Sequence, residues 1–175
     1  MRVLACVVLL VAVPALAGCV GMPERVSDPR DLAGPDRGVA WAFRDTDGAL
    51  QTNTTAEGRP AVLFFMASWC LSCRSKAPML AEVVAENAPR GLRAYSLSFD
   101  PKDDEETLRR WKAEFDNDWP HGVDPQLQVA RHFGITAQSS FVVIDARGDV
   151  VQQWGYPGPS EDALRAAVDQ AFARG

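Results

Sequence analysis

The chain has 175 residues, which suits one domain preceded by a short leader, and 47% of its residues are apolar, as in an ordinary soluble globular protein. Its formal net charge is −5, with 18 Lys and Arg against 23 Asp and Glu. Because the basic residues are scattered and phosphate binding requires clustered Lys and Arg, this charge pattern argues against a nucleic-acid partner.

The first residues are typical of a secretory signal. Met1-Arg2 supplies one positive charge, and residues 3–17 form an almost wholly apolar run. That run is shorter than the roughly 20 residues that a membrane-spanning helix requires. Small residues follow it, so residues 1–18 are predicted to be a signal peptide.

The end of this leader, Leu16-Ala17-Gly18-Cys19, resembles the lipobox of bacterial lipoproteins. The resemblance implies cleavage before Cys19 and lipidation of its sulfur, which anchors the chain to the cell membrane. An ordinary cleaved signal with an unrelated cysteine and an uncleaved anchor are the alternatives. Residues 19–38 are rich in Gly, Pro, Ser and Asp, and they are predicted to form a flexible tether on the extracytoplasmic side.

Residues 39–175 are predicted to form one folded domain that opens with a β-hairpin. Its strands are expected over residues 41–43 and 49–51, around a turn at residues 45–48 that ends in Asp-Gly. Three further elements follow, namely a buried apolar strand over 61–66, a helix over 71–87 and a strand over 92–99. A strand, a helix and a strand in this order imply a right-handed βαβ unit.

The second half of the domain carries further helix-start signals. Asp100-Pro101 and Asp124-Pro125 each predict a start, because Asp caps free backbone N–H groups and Pro fits the first turn. The acidic residues 103–106 are interpreted as part of such a first turn rather than as metal ligands. The remaining elements are two strands over residues 140–145 and 150–154 and a last helix capped by Ser160.

Cys70 and Cys73 form a C-x-x-C pair, and they are the two of the four cysteines that lie outside the leader and tether. A zinc site would need two more ligands, and His121 and His132 lack ligand-like spacing. Both histidines are instead predicted to be surface or capping residues. A purely structural disulfide would close a loop of four residues and remove little chain entropy.

The position of the pair favours redox chemistry. Cys70 follows a predicted buried strand and opens a predicted helix, where the helix dipole and free N–H groups stabilise a thiolate. The pKa of Cys70 is therefore expected below the ordinary value of about 8.5, and only a thiolate attacks a disulfide. We predict that Cys70 is the nucleophile and Cys73 the resolving cysteine, with Trp69 packed beside them.

Residues 65–78 resemble the active-site segment of thioredoxin-fold proteins of the TlpA/DsbE type. Trp69, both cysteines, Arg74 and Pro78 fit the pattern of that family. The resemblance continues weakly over residues 133–135 and 141–145 and covers roughly the whole predicted domain.

This resemblance implies an α/β, thioredoxin-like fold with a central mixed sheet of four to five strands flanked by helices. It also implies dithiol–disulfide exchange with secreted or membrane proteins, or with cytochrome c maturation partners. Family members of the reductant type use a membrane electron donor. No cofactor or metal is expected.

Two positions depart from the family pattern. Lys76 stands where the family usually has an acid, and a nearby cation would lower the pKa of a thiolate and favour an oxidant. The direction of transfer stays open on the sequence. Ser139 stands where the family has a cis-proline, and a cis bond before a non-proline residue costs about 3 kcal/mol, so we expect a trans bond.

Other functions compete with the oxidoreductase interpretation. A copper-handling or redox-sensing lipoprotein could use the same two thiols, with Met66 or Met79 close in sequence. A non-catalytic interaction lipoprotein is a third hypothesis. A peroxidase is disfavoured, because the chain lacks the Pro/Thr-rich loop that peroxiredoxins place before their cysteine.

Overall fold

A computed structural model describes residues 40–53, 58–124 and 126–175 of the protein. The predicted signal peptide, Cys19 and the tether lie outside the described residues. The elements in chain order are β1 (Ala42–Arg44), β2 (Leu50–Thr52), β3 (Ala61–Met66), α1 (Leu71–Asn87), a 3₁₀ turn (Ala88–Arg90), β4 (Arg93–Ser98), α2 (Glu105–Glu114), β5 (His121–Val123), α3 (Gln128–His132), β6 (Ser140–Ile144), β7 (Val150–Trp154) and α4 (Glu161–Ala173).

The central sheet has five strands in the order β5-β4-β3-β6-β7. Strands β3, β4 and β5 run parallel, whereas β6 pairs antiparallel with both β3 and β7. The predicted mixed sheet is therefore confirmed. All six residues of β3 are buried, which explains its continuous apolar sequence, because both faces of the central strand are covered.

Each face of the sheet carries its own apolar core. Helices α1, α2 and α4 cover one face, through residues such as Leu80, Leu108 and Leu164. The hairpin and α3 cover the other, where Trp41 packs edge-on against Tyr95 with ring centroids 5.6 Å apart. Within the described residues, no helix is long and apolar enough to cross a bilayer.

The predicted N-terminal hairpin is confirmed as the antiparallel pair β1–β2. It docks on β5, where the backbone N–H of Thr46 donates to the carbonyl of His121. Gly122 permits this contact, because a Cβ there would lie 2.3 Å from a ring carbon of Phe43 and 2.7 Å from the carbonyl oxygen of Arg44.

The helix start predicted at Asp100-Pro101 is wrong by several residues. Helix α2 begins at Glu105, and its N-cap is Asp104, whose side chain accepts a hydrogen bond of 2.8 Å from the backbone N–H of Thr107. Asp100 and Asp103 lie before the helix, and their carboxylates bind groups next to the cysteine pair instead.

The interpretation of His121 as a surface or capping residue is also wrong. His121 opens strand β5, which the sequence analysis missed, and its side chain is fully buried. Burial lowers the pKa of His121 to about 4. His132 at the end of α3 is exposed, as predicted.

Candidate active site

One edge of the sheet gathers the elements of the candidate site. Strands β3, β4 and β7 end there, and β6 begins there, because Phe65 pairs with both Leu97 and Ser140 and Phe141 pairs with Trp154. The loop between β3 and α1 carries the cysteine pair to this edge. Loops after β4, before β6 and after β7 therefore surround the pair.

Cys70 and Cys73 are joined by a disulfide with Cα atoms 5.2 Å apart. Cys70 is the N-cap of α1, and its Sγ accepts a hydrogen bond of 3.1 Å from the backbone N–H of Cys73. Cys70 is 3% exposed and Cys73 is 0% exposed, so Cys70 is the residue of the pair that solvent reaches. The first turn of α1 contains no acidic residue that would oppose a thiolate.

Trp69 lies beside the pair with a largely exposed ring. Its indole Nε1 donates a 2.5 Å hydrogen bond to Oδ2 of Asp100, in the loop after β4. This bond, together with one from the backbone N–H of Lys102, holds the pKa of the Asp100 carboxyl below its ordinary value. The indole plane is therefore fixed relative to Cys70.

Asp103 holds the residue before Trp69. The backbone N–H and hydroxyl of Ser68 donate to its two carboxylate oxygens at 2.9 and 2.5 Å, and the hydroxyl of Ser98 donates at 2.5 Å. The sequence does not reveal this anchor, since the whole acidic run has the pattern of a helix start. A buried carboxylate with three donors fixes the loop that leads into Cys70.

Ser139 is fully buried and lies directly before β6, at the place predicted from the family pattern. Among the described residues, only the peptide bond before Pro157 is cis. The bond before Ser139 is therefore trans, as predicted. Ser139 instead has a positive φ of 60°. Its hydroxyl lies 2.9 Å from that of Ser72, a contact that the sequence analysis did not anticipate.

Lys76 lies on α1, and its ammonium donates a 2.7 Å hydrogen bond to the carbonyl of Pro159 in the loop after β7. Arg74 points elsewhere, since it forms an ion pair with Glu114 and stacks on the rings of Trp111 and Phe115. Of these two cations, Lys76 is therefore the one that is hydrogen-bonded to a loop next to the cysteine pair.

The described residues contain no group of three or more His, Cys, Asp or Glu side chains able to hold a metal ion. Met66 and Met79, which a copper-handling protein could have used, both belong to the apolar core. Met66 is fully buried at the end of β3, and Met79 is partly buried against the same cluster.

Known proteins are similar to this chain in sequence and in fold. A family model described as the AhpC/TSA family matches residues 35–153. The thiol:disulfide interchange protein DsbE of Pseudomonas fluorescens biotype C is 30% identical over 98 residues, 55% of this chain and 52% of that protein. CycY of Rhizobium leguminosarum bv. viciae, also a thiol:disulfide interchange protein, is 26% identical over 145 residues, 81% of this chain and 75% of that protein.

The chain spans about half the length of the first of these curated relatives. A solved structure of a secreted Mycobacterium tuberculosis disulfide oxidoreductase homologous to E. coli DsbE superposes with a TM-score of 0.65 at 22% identity. That match covers 74% of this chain and 95% of the other, which shows that the two share a fold. The family model covers more than half of the sequence, so this protein belongs to the AhpC/TSA family, with a thioredoxin-like fold and relatives named DsbE and CycY.

Proposed function

We propose that this protein is an extracytoplasmic thiol–disulfide oxidoreductase, with Cys70 as nucleophile and Cys73 as resolving cysteine. The observation that carries the proposal is the Cys70–Cys73 disulfide at the start of α1, with the more exposed cysteine at the N-cap. The names of the DsbE and CycY relatives support it.

In the oxidising direction, a client thiolate attacks Sγ of Cys70. The bond between Cys70 and Cys73 breaks, and Cys73 leaves as a thiolate. A second client thiolate then attacks the client sulfur of the mixed disulfide, which forms the client disulfide and releases Cys70 as a thiolate. The domain gains two electrons, and the client loses two.

In the reducing direction, the Cys70 thiolate attacks a client disulfide and one client thiolate leaves. The Cys73 thiolate then attacks Sγ of Cys70, closes the disulfide and releases the second client thiolate. In both directions the backbone N–H of Cys73 and the dipole of α1 stabilise negative charge on Cys70.

We also propose that Cys19 carries a lipid and that residues 19–38 tether the domain to the cell membrane. The apolar leader and its Leu-Ala-Gly-Cys end support this arrangement. The clients of the tethered domain would then be secreted or membrane proteins, including cytochrome c maturation partners. Where the domain acts as a reductant, a membrane protein would supply its electrons.

The proposal is tested by trapping clients with Cys73→Ala. Without a resolving thiol, the mixed disulfide on Cys70 should accumulate and survive alkylation and non-reducing electrophoresis. The matched control is the double variant Cys70→Ala/Cys73→Ala, which should trap nothing. A Cys73→Ala protein that traps no partner in the native envelope would contradict the proposed activity.

The direction of transfer can be probed at Lys76. Lys76 is an i+3 neighbour of Cys73 on α1, and its ammonium is bonded to the carbonyl of Pro159 in the loop after β7. We expect a reduction potential above the thioredoxin value of about −270 mV. Lys76→Glu should raise the thiolate pKa and lower the potential, by about 30 mV for each pKa unit of lost thiolate stabilisation.

The control for this measurement is Arg74→Gln. It removes a cation from the same helix turn, but one that faces α2. Glutathione-buffered redox titration gives the potential, and absorbance of the thiolate against pH gives the pKa. Equal values for wild type and Lys76→Glu would show that Lys76 does not influence the pair.

A further inference from the structure

The most exposed large apolar side chains of the described residues all lie close to the cysteine pair. They are Leu71 at 82%, Tyr156 at 64% and Trp69 at 60% exposed. Trp69 and Leu71 flank Cys70 in the chain, and Tyr156 lies in the loop after β7, which ends at the same edge of the sheet. The Trp69 ring is bonded to the loop after β4, whereas Tyr156 follows β7, so these two side chains lie on either side of the pair. Exposed apolar side chains next to a reactive group mark a surface that binds another molecule.

The loop that carries Tyr156 is attached to α1 by a chain of hydroxyl groups. The hydroxyl of Ser139 donates to the carbonyl of Pro157 at 3.1 Å. The hydroxyl of Ser72, between the two cysteines, lies 2.9 Å from that of Ser139 and 3.3 Å from the same carbonyl. Lys76 adds a bond to the carbonyl of Pro159. Tyr156 is therefore positioned by side chains that surround the redox pair.

Backbone geometry at this junction excludes proline at position 139 and a larger residue than glycine at position 158. Ser139 has a φ of 60°, which the ring of proline cannot adopt, so the family's proline would not fit this conformation. Gly158 also has a positive φ, and a Cβ there would lie 2.8 Å from the carbonyl oxygen of Ser139. The backbone conformations of Ser139 and Gly158 therefore let the loop that carries Tyr156 pack closely against Ser139.

We propose that Tyr156, held in place by Ser139 and Ser72, is a specificity-determining residue for clients. It contacts an aromatic or aliphatic side chain that stands next to the reacting cysteine of a client polypeptide. The occupant is a client, since any polypeptide disulfide that reaches Cys70 must lie across this surface. Ser139 and Ser72 are positioning residues. The inference rests on the proposed thiol–disulfide exchange.

The experiment uses two peptides that carry the same disulfide, with either Phe or Gly beside the reactive cysteine. Wild-type protein should favour the Phe peptide by about tenfold in kcat/KM, the size of one aromatic contact. Tyr156→Ala should reduce this ratio to near one through a higher KM, and Tyr156→Phe should retain it. Ser139→Ala should lower the ratio in the same way but by a smaller factor.

Val150→Ala is the matched control, because Val150 is an exposed apolar residue at the other end of β7. It should keep the tenfold ratio. Equal kcat/KM values for the two peptides in wild-type protein, or an unchanged ratio in Tyr156→Ala, would overturn the inference. Failure of the wild-type protein both to reduce either peptide and, in its oxidised form, to accept electrons from dithiothreitol would instead overturn the proposed function and the inference with it.

Discussion

Replacing Cys70 by serine is expected to slow disulfide exchange by roughly a thousandfold or more, the scale of losing a covalent nucleophile. A serine hydroxyl stays protonated at neutral pH and cannot form a mixed disulfide. Cys73 cannot substitute, because its side chain is fully buried. The measurement is the single-turnover rate of the reduced domain with a disulfide peptide.

Cys73→Ser provides the informative comparison. It should keep the first step and release about one equivalent of client thiolate, and then stop at the mixed disulfide on Cys70. If the first step were equally slow in Cys70→Ser and Cys73→Ser, neither sulfur alone could be assigned as the attacking nucleophile. A fast first step in Cys70→Ser would mean that Cys73 is the nucleophile.

The elements that the sequence predicts well are those with strong local patterns. The bounds of β3 and α1 agree with the prediction, since a six-residue apolar run ends where a helical pattern begins. Strand β5 has only three residues and includes Gly122, so it carries no periodic signal. Its strand conformation comes from pairing with residues 96–98 of β4, a contact that no local pattern encodes.

The contacts around the cysteine pair likewise cannot be predicted from local sequence patterns. Asp100, Asp103 and Asp104 lie within five positions and look alike in the sequence, yet they bind Trp69, Ser68 and the backbone of α2, respectively. Two of these partners are more than 30 residues away. A pairing of two serines 67 positions apart, such as Ser72 and Ser139, is equally invisible without the fold.

The buried histidine predicts a specific loss of stability in acid. Nδ1 of His121 lies 2.8 Å from the carbonyl oxygen of Trp119, so Nδ1 carries the proton of the neutral ring and donates it. Nε2 is buried without a partner among the described residues, and the ammonium of Lys112 adds repulsion to a charged ring. Burial thus opposes protonation and lowers the pKa of His121 from 6.5 to about 4.

The sign of the effect follows from proton binding. Between pH 6.5 and about 4 the unfolded chain binds a proton at His121 that the folded chain does not. The contribution of His121 to the free energy of unfolding is therefore fully present above pH 6.5 and falls as the pH drops through this window, by about 3 kcal/mol at pH 4. Burial raises the pKa of Asp124, which works in the opposite sense, so the comparison must be made between variants.

Urea unfolding at pH 7.5 and at pH 4 isolates this contribution. His121→Phe keeps an aromatic ring against Trp119, whose ring stacks on that of His121 at 5.7 Å, but it cannot be protonated. Wild type should lose about 3 kcal/mol more than His121→Phe between the two pH values. His132→Gln, which replaces the exposed histidine, should lose nearly as much as wild type. If wild type and His121→Phe lost equal stability, His121 would not resist protonation in the folded chain.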